Sequence, residues 1–325
     1  MSLKLDARIE TLRLARPFAI AGRRYEAIEV VHVTARAEGL EGHGECTPYA
    51  RFGTGPDAAL KQIEALDTEG LTRAGLLERL PAGPARHGVD AALWDLEAKQ
   101  AGVRVWDLPG LQGPAPDLVT TITIGIDTPE AMGDAARAYA GWPVLKIKLD
   151  RARIVERVEA VRAAAPAARL VVDANASWDA DTLMKIAPAL AALSVEMIEQ
   201  PVPPGEDEVL RGYQGPLPLA ADESCQDIAS LDRLEGLYRM VNLKLDKVGG
   251  LTAGLAKADR ATAMGFDLMV GCMLGSSLAM APAMVLARRA VLCDLDGPYV
   301  LGTDRPHGLT YDKGRLSVPQ AALWG

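Results

Sequence analysis

The sequence predicts an α/β protein in which eight strand–helix units close into a TIM-type barrel. Three observations lead to this prediction. Short apolar segments of strand length recur eight times between residues 120 and 297, Ala-rich stretches with helical periodicity separate most of them, and successive segments end on charged side chains. Repeated βα units form parallel sheets, and eight such units are the number that closes a barrel.

The part of the chain before residue 115 predicts a separate unit of mixed strands and helices. Arg23–Pro48 alternates apolar and polar residues as antiparallel strands do, around a Gly-rich turn. Val89–Gln100 has the apolar spacing of a helix. Gly110–Asp117, with the sequence GLQGPAPD, is typical of a linker. We therefore expect a domain boundary near residue 115.

The eight strand segments follow this linker. They are 120–126 (TTITIGI), 144–150 (VLKIKLD), 170–176 (LVVDANA), 196–200 (EMIEQ), 219–224 (LAADES), 240–246 (MVNLKLD), 267–272 (DLMVGC) and 291–297 (VLCDLDG). Ile154–Ala165 is one of the helical stretches between them. An open, doubly wound sheet is the alternative, but it would usually carry a Gly-rich phosphate loop after its first strand, and Thr123–Glu130 is not one.

Composition narrows the class of protein. The net charge of −8 argues against a broad nucleic-acid surface, which would need a basic face. The N-terminal sequence MSLKLDARIE has neither a long apolar core nor a cleavage-site pattern, so we expect no secretion signal. Leu268–Ala287 has no charged residue, but Gly271, Gly275 and Pro282 interrupt it. We interpret it as a strand, a loop and a buried helix rather than a membrane span.

Cysteines and histidines indicate no metal site of their own. The four cysteines have no CxxC spacing and the four histidines form no close pair; they are Cys46, Cys225, Cys272, Cys293, His32, His43, His87 and His307. A reducing cytoplasm fits this usage. The histidines are expected to be surface or structural residues.

Polar side chains instead gather where the strand segments end. They are Lys146 and Lys148 in the second segment, Asp173 in the third, Glu199 in the fourth, Asp222 in the fifth, Lys244 in the sixth, and Asp294 and Asp296 in the eighth. From Lys148 to Lys244 the steps are 22 to 26 residues, one polar group for each βα repeat. Because chemistry in such barrels lies at the C-terminal ends of the strands, this is the expected active site.

Three of these groups predict a magnesium site. Asp173, Glu199 and Asp222 come from adjacent strands, and three converging anions repel one another unless a cation neutralises them. Oxygen ligands without histidine or cysteine favour Mg²⁺. The alternative is that each acid caps a following helix, which the sequences DANAS and ADES allow locally.

The lysines predict acid–base chemistry. Strands two and six of an eight-stranded ring lie half a turn apart, so Lys148 and Lys244 would approach a central ligand from opposite sides. Two bases on opposite sides of one carbon, beside a metal that neutralises an enediolate, suit epimerisation or racemisation next to a carboxylate. Lys146 and the cation would help deprotonate Lys148. Lys247 is the rival to Lys244, and we interpret it as a loop or surface residue.

These motifs resemble a known family. KIK, VVDAN, IEQP, ADES and NLKLDKVGG, in this order and spacing, are similar to the enolase superfamily, in its muconate-lactonizing-enzyme branch, and GECTPYARFG and ALWDL are similar to the family's capping domain. The resemblance implies a modified (β/α)7β barrel over residues 116–300, an α+β cap over 1–115, and a C-terminal segment, 301–325, that returns to the cap. It also implies that the three acids bind Mg²⁺ and that Lys148 and Lys244 are the acid–base pair.

The same resemblance indicates a dipeptide substrate. Asp294 and Asp296 match a DxD motif that holds the free amino terminus in the family's dipeptide epimerases, and the best fit is inversion of the glutamate carbon of a murein-derived L-Ala-Glu dipeptide. The remaining candidate substrate contacts are Lys146, Thr123, Arg23, Arg24 and Arg51. Cys272–Ser277 lacks the Glu that some relatives carry there, which leaves the exact dipeptide open.

Other functions remain open at this point. Within the fold they are N-acylamino-acid racemase, o-succinylbenzoate synthase or cycloisomerase chemistry. From other classes they are a metal-free Schiff-base lyase, since barrels host lysine imines, and a non-catalytic binding barrel. A small-molecule partner is expected, with no nucleic acid or membrane partner, and the chain is a candidate homo-oligomer.

Overall fold

The computed structural model describes residues 3–20, 23–49, 54–108 and 110–325. Its N-terminal part contains an antiparallel sheet in the order β1-β2-β3, formed by β1 Lys4–Ile20, β2 Arg23–Ala37 and β3 Leu40–Cys46. The turn between β2 and β3 has Glu38 and Gly39 at positive φ. The predicted antiparallel pair with its Gly-rich turn is therefore confirmed.

Two helices, α1 Pro56–Glu64 and α3 Pro84–Ala101, pack on this sheet, and a third, α2 Arg73–Arg79, packs on α3. The predicted helix over Val89–Gln100 is the second part of α3. It packs so closely on β3 that a Cβ atom on Gly44 would lie 2.1 Å from the Gly88 carbonyl oxygen and 2.8 Å from the Ala92 nitrogen. Glycine therefore sets the distance between sheet and helix.

Substitution of Gly44 by alanine should destabilise the protein by about 1–3 kcal/mol, the usual cost of overpacking, because backbone atoms of α3 must move. Urea denaturation checks this. Gly75→Ala is the control, since Gly75 lies in α2 and its added Cβ would meet only the Thr72 hydroxyl, at 3.3 Å. Equal stability of the two variants would contradict the proposed close packing.

The second part of the chain forms an eight-stranded parallel sheet in sequential order, as predicted. Its strands are β4 Ile122–Ile124, β5 Val144–Lys148, β6 Arg169–Asp173, β7 Val195–Glu199, β8 Leu219–Ala221, β9 Met240–Lys244, β10 Asp267–Gly271 and β11 Leu292–Asp294. Each observed strand lies inside a predicted segment or begins one residue before it. Thr121 N–H bonds the Cys293 carbonyl at 2.9 Å, which joins the two ends of the sheet into a nearly closed barrel.

Helices connect most of the strands: α4 Pro129–Ala138, α5 Ile154–Ala164, α6 Ala180–Ala192, α7 Ser230–Leu234, α8 Leu245–Val248, α9 Leu251–Ala263 and α10 Ser277–Ala287. The connection after β7 has a 3₁₀ turn at Asp207–Leu210, and a 3₁₀ turn at Gly297–Val300 follows β11. The short hairpin of β12 Tyr311–Asp312 and β13 Arg315–Leu316 completes the fold.

The charge-free segment predicted as strand, loop and buried helix forms β10 and α10, which confirms that interpretation. Among the described residues, no helix combines the length and the apolarity that crossing a bilayer requires.

Buried polar contacts hold the first three strands against the barrel. The Glu45 carboxylate accepts bonds from Ser276 N–H at 2.7 Å and from Arg305 at 2.6 Å. Asp246 accepts a bond from Thr47 N–H at 2.7 Å. These contacts place the end of β3 over the C-terminal ends of the barrel strands.

The floor of the barrel is apolar. One buried side chain from each of seven strands forms a cluster there: Val144, Val171, Met197, Ala220, Met240, Met269 and Leu292. Because strand side chains alternate between two faces, residues two positions further along each strand also point inward. The identity of those residues decides what lies above the floor.

Candidate active site

The layer above the apolar floor is polar. Two positions after the floor residues stand Lys146, Asp173, Glu199, Asp222, Asn242, Gly271 and Asp294. Except for Gly271, which has no side chain, these residues project their side chains into the barrel above the floor, nearer its C-terminal mouth. Of the charged groups predicted at the strand ends, Lys146, Asp173, Glu199, Asp222 and Asp294 belong to this layer, whereas Lys148, Lys244 and Asp296 each stand two residues further along the chain.

Three carboxylates in this layer converge. Asp173 and Glu199 end β6 and β7, Asp222 directly follows β8, and each offers an oxygen within 4.8 Å of the others. All three are buried. Gln200 accepts bonds from the backbone N–H groups of Asp222, at 2.9 Å, and Ser224, at 3.0 Å, which fixes the end of β7 to the loop after β8.

Two lysines stand on either side of these carboxylates. Lys148 ends β5 and places its Nζ 2.6 Å from Asp173 Oδ2. Lys244 ends β9 and places its Nζ 2.8 Å from Asp222 Oδ2. The strands β5 and β9 are four positions apart in the eight-stranded order. The two amines therefore lie at opposite ends of the arc of acids.

Lys146 lies within the arc and is fully buried. Its Nζ is 2.7 Å from Glu199 Oε2, 2.7 Å from Asp294 Oδ2 and 3.1 Å from Asp173 Oδ2. Burial opposes its charge, but the surrounding carboxylates outweigh burial and hold its pKa well above the ordinary value. It is a fixed cation of the site.

The three converging acids are unequally neutralised. Burial opposes ionisation of Asp173 and Asp222, but adjacent lysines outweigh it and lower the pKa of both carboxyls, that of Asp173 to about 2. Burial, and then the nearby Asp173, raises the pKa of Glu199 to about 7. Glu199 shares the Lys146 ammonium with Asp173 and Asp294, so its ionisation is the least favoured of the three, and a bound cation would relieve that cost. Buried, all-oxygen ligands fit a hard divalent ion.

The two acids at the end of β11 have different partners. Asp294 binds Lys146 through Oδ2 and accepts the Thr121 hydroxyl through Oδ1 at 2.6 Å. Asp296 Oδ2 accepts the Thr123 backbone N–H at 2.7 Å. Burial, followed by the nearby Asp294, raises the pKa of Asp296 to about 6. Both of these acids are thus held at the mouth, but Asp294 already has an ammonium partner.

Two site residues were not identified correctly from sequence. Lys247 was interpreted as a loop or surface residue, and this is wrong: it is 6% exposed and its Nζ binds Asp222 Oδ1 at 2.5 Å. Asn242 was overlooked, although it donates to Glu199 Oε1 at 2.8 Å. Asn242 stands two residues before Lys244, so strand alternation could have found it. Lys247 follows β9 in the single turn of α8, to which the period of two does not apply.

The structure does not test the predicted contacts of three arginines with a substrate. Arg51 and the side chain of Arg23 lie outside the described residues. Arg24 is exposed near the start of β2. Their roles toward a substrate stay predictions.

Comparison with protein families finds two matches that together span most of the chain. Residues 5–110 match the mandelate racemase / muconate lactonizing enzyme N-terminal domain. Residues 131–322 match the enolase C-terminal domain-like family.

Two relatives share the same sequence identity with this chain. The L-Ala-D/L-Glu epimerase of Escherichia coli K12 is 45% identical over 315 residues, which cover 95% of this chain and 98% of the relative. The N-acetyl-D-glutamate racemase of a Pseudoalteromonas species is 45% identical over 289 residues, which cover 87% and 91%.

Solved structures share the whole fold. An enolase family member from Agrobacterium tumefaciens with homology to dipeptide epimerases, solved with sodium and L-Ala-L-Glu, superposes with a TM-score of 0.96 at 40% identity, covering 99% of this chain and 100% of the other. The dipeptide epimerase of Enterococcus faecalis V583, solved with Mg and L-Leu-L-Tyr, gives 0.92 at 28% identity, covering 100% and 99%.

Proposed function

Because this chain belongs to the mandelate racemase / muconate lactonizing enzyme family of the enolase superfamily, we propose that it is a magnesium-dependent dipeptide epimerase that interconverts L-Ala-L-Glu and L-Ala-D-Glu. It is an isomerase of the racemase and epimerase class. The observation that carries the proposal is the placement of Lys148 and Lys244 on opposite sides of three converging carboxylates. All four cysteines are free thiols, which supports a cytoplasmic location.

In a two-base inversion, the lysines would transfer protons and the three converging acids would bind the metal. A neutral amine of one lysine removes the α-proton of the glutamate residue, and the ammonium of the other returns a proton to the opposite face. Asp173, Glu199 and Asp222 would hold Mg²⁺, which supplies positive charge where the substrate carboxylate gains negative charge. Lys146 holds Glu199 and Asp294 in place and adds a fixed cation beside them.

The acids at the end of β11 give the substrate its orientation. Asp294 is engaged by Lys146 and Thr121, so we assign the substrate ammonium to Asp296, whose Oδ2 is fixed by the Thr123 N–H. A charged hydrogen bond between the substrate ammonium and the Asp296 carboxylate would anchor the amino end of the dipeptide at the barrel mouth.

A second candidate function is racemisation of N-acetylglutamate, because the N-acetyl-D-glutamate racemase has the same 45% identity to this chain as the epimerase. Both reactions invert the α-carbon of a glutamate unit. They differ in the amino-terminal group, since an acetyl amide offers no ammonium to Asp296. The two functions can therefore be separated by one substrate pair.

The direct test is incubation with L-Ala-L-Glu, L-Ala-D-Glu and N-acetylglutamate in deuterated buffer, with exchange at the α-carbon followed by NMR. We expect exchange and inversion of the dipeptides, lost with a chelator and restored by Mg²⁺. Exchange with N-acetylglutamate alone would favour the racemase. Chelator-resistant turnover together with borohydride trapping would favour the Schiff-base lyase.

Replacement of Asp296 by asparagine should raise KM for the dipeptides by about 10- to 100-fold, since hydrogen bonds to charged groups contribute about 1.5–3 kcal/mol. Activity on N-acetylglutamate, if present, should not fall.

In the unmodified enzyme, dipeptide affinity should weaken as the pH falls below about 6, because protonation of Asp296 removes its charge. Steady-state kinetics with both substrates check this, and equal losses on both would contradict the assignment.

A further inference from the structure

The segments that follow the two lysines are each held by one buried arginine. Lys244 is followed by the single turn α8, and Lys148 is followed by the loop 149–153. Arg86, from helix α3 of the N-terminal domain, binds the end of α8. Arg157, from α5, binds the loop after β5. Arg86 donates to backbone carbonyls, and Arg157 donates to backbone carbonyls and to the Asp150 carboxylate.

Arg86 fixes the end of α8. Its Nη2 donates to the Val248 carbonyl at 2.7 Å and its Nε to the Gly249 carbonyl at 3.0 Å. Its Nη1 donates to the carbonyl of Leu80, in the N-terminal domain, at 3.2 Å. The side chain is 9% exposed. Because α8 begins directly after Lys244, these bonds connect the N-terminal domain to the backbone segment that follows that lysine.

The turn after α8 fits α3 at a second point. Gly249 and Gly250 have φ of +80° and +110°, and Cβ atoms there would lie 2.4 Å from Arg86 Nε and 2.5 Å from Asp90 Oδ2. Asp90 accepts the Thr252 N–H at 3.1 Å, at the start of α9. Glycine is therefore required both for the backbone conformation and for the close approach of α3.

Arg157 holds the other side of the barrel mouth in the same manner. Its Nη1 donates to Asp150 Oδ1 at 2.5 Å and to the Ala152 carbonyl at 2.7 Å, and its Nε donates to the Asp127 carbonyl at 2.9 Å. The side chain is 8% exposed. Asp150 stands two residues after Lys148, so Arg157 ties the segment after that lysine to the loop after β4.

Resting on the two-lysine mechanism above, we propose that Arg86 and Arg157 are paired positioning residues, Arg86 for Lys244 and Arg157 for Lys148. Proton transfer requires the amine and the α-carbon to approach closely, and a displacement of about 1 Å can lower a rate about 10²-fold. Since each arginine supports a different lysine, its loss impairs one half of the reaction.

The experiment measures α-proton exchange in deuterated buffer separately from L-Ala-L-Glu and L-Ala-D-Glu, with saturating Mg²⁺. Lys148→Ala and Lys244→Ala first establish which epimer each lysine deprotonates. Arg86→Met should then lower exchange of the epimer assigned to Lys244 by about 10- to 100-fold, while the other epimer exchanges at close to the normal rate. Arg157→Met should show the reverse preference.

The ratio of the two exchange rates is the decisive readout, because partial unfolding lowers both rates equally and leaves the ratio unchanged. Arg86→Lys and Arg157→Lys, which keep the charge but not the fork of donors, should shift the ratio in the same directions by less. Arg162→Met is the matched control. Arg162 also donates to backbone carbonyls, those of Leu193, Ala168 and Ser194, but at the opposite end of the barrel. The Arg162→Met variant should therefore have the same ratio of exchange rates as the unmodified enzyme.

Two outcomes separate the possible failures. Parallel loss of exchange from both epimers in the Arg86 and Arg157 variants would overturn the positioning role, since it would show no preference for either lysine. Absence of exchange from the unmodified enzyme, with Mg²⁺ and either dipeptide, would instead overturn the proposed function on which this inference rests.

Discussion

Replacement of Lys244 by alanine should lower epimerisation by about 10²- to 10⁴-fold, the range that a positioned acid–base group contributes, while one epimer continues to exchange its α-proton with solvent. That epimer is the one deprotonated by Lys148, whose amine can return a solvent-derived proton to the same face. The Lys148→Ala variant should show the opposite preference. Proton NMR in deuterated buffer, started from each epimer separately, measures inversion and exchange together.

The control for this pair of variants is Mg²⁺ affinity. Each lysine contacts a carboxylate of the triad, Lys148 at Asp173 and Lys244 at Asp222, so its removal can disturb the metal site as well as the proton transfer. Calorimetric titration with Mg²⁺ allows the exchange rates to be compared at saturation. If both variants then lost exchange from both epimers to the same extent, the lysines would be holding carboxylates rather than serving opposite faces.

Replacement of Glu199 by glutamine should weaken Mg²⁺ binding by more than about 100-fold, because even residues that only support a metal ligand cost about 10- to 100-fold when lost. Glu199 is the central acid of the triad and the one whose charge the surrounding lysines neutralise least. Calorimetry without substrate measures the affinity directly. The Mg²⁺-induced rise in melting temperature should disappear in parallel.

Asp246→Asn is the matched control for the metal prediction. Asp246 is also a buried carboxylate at the barrel mouth, two residues after Lys244, but its Oδ1 accepts the Thr47 N–H and it is not a member of the triad. Asparagine keeps an acceptor for that bond. Normal Mg²⁺ affinity in Asp246→Asn, with loss in Glu199→Gln, is the expected result. Equal affinities in the two variants would place the metal elsewhere.

The strands and the chemical type of the site were predictable from sequence because both depend on local periodicity. Eight apolar segments at regular intervals specified the strand positions, and the family match and the similar solved structures confirm the enolase-superfamily resemblance drawn from KIK, VVDAN, IEQP, ADES and NLKLDKVGG. The convergence of Asp173, Glu199 and Asp222 was also predictable, since parallel strands of one barrel end at the same rim.

The partners of each charged group were decided by tertiary structure alone. Asp294 lies 148 positions from Lys146 in sequence, and Arg86 lies 163 positions from Gly249, yet both pairs are in direct contact. Alternation along a strand shows which side chains point inward, but not which oxygen each ammonium reaches. That choice depends on strand stagger, on the packing of α3 against α8, and on how several buried charges of both signs neutralise one another, and these arise only when the chain is folded.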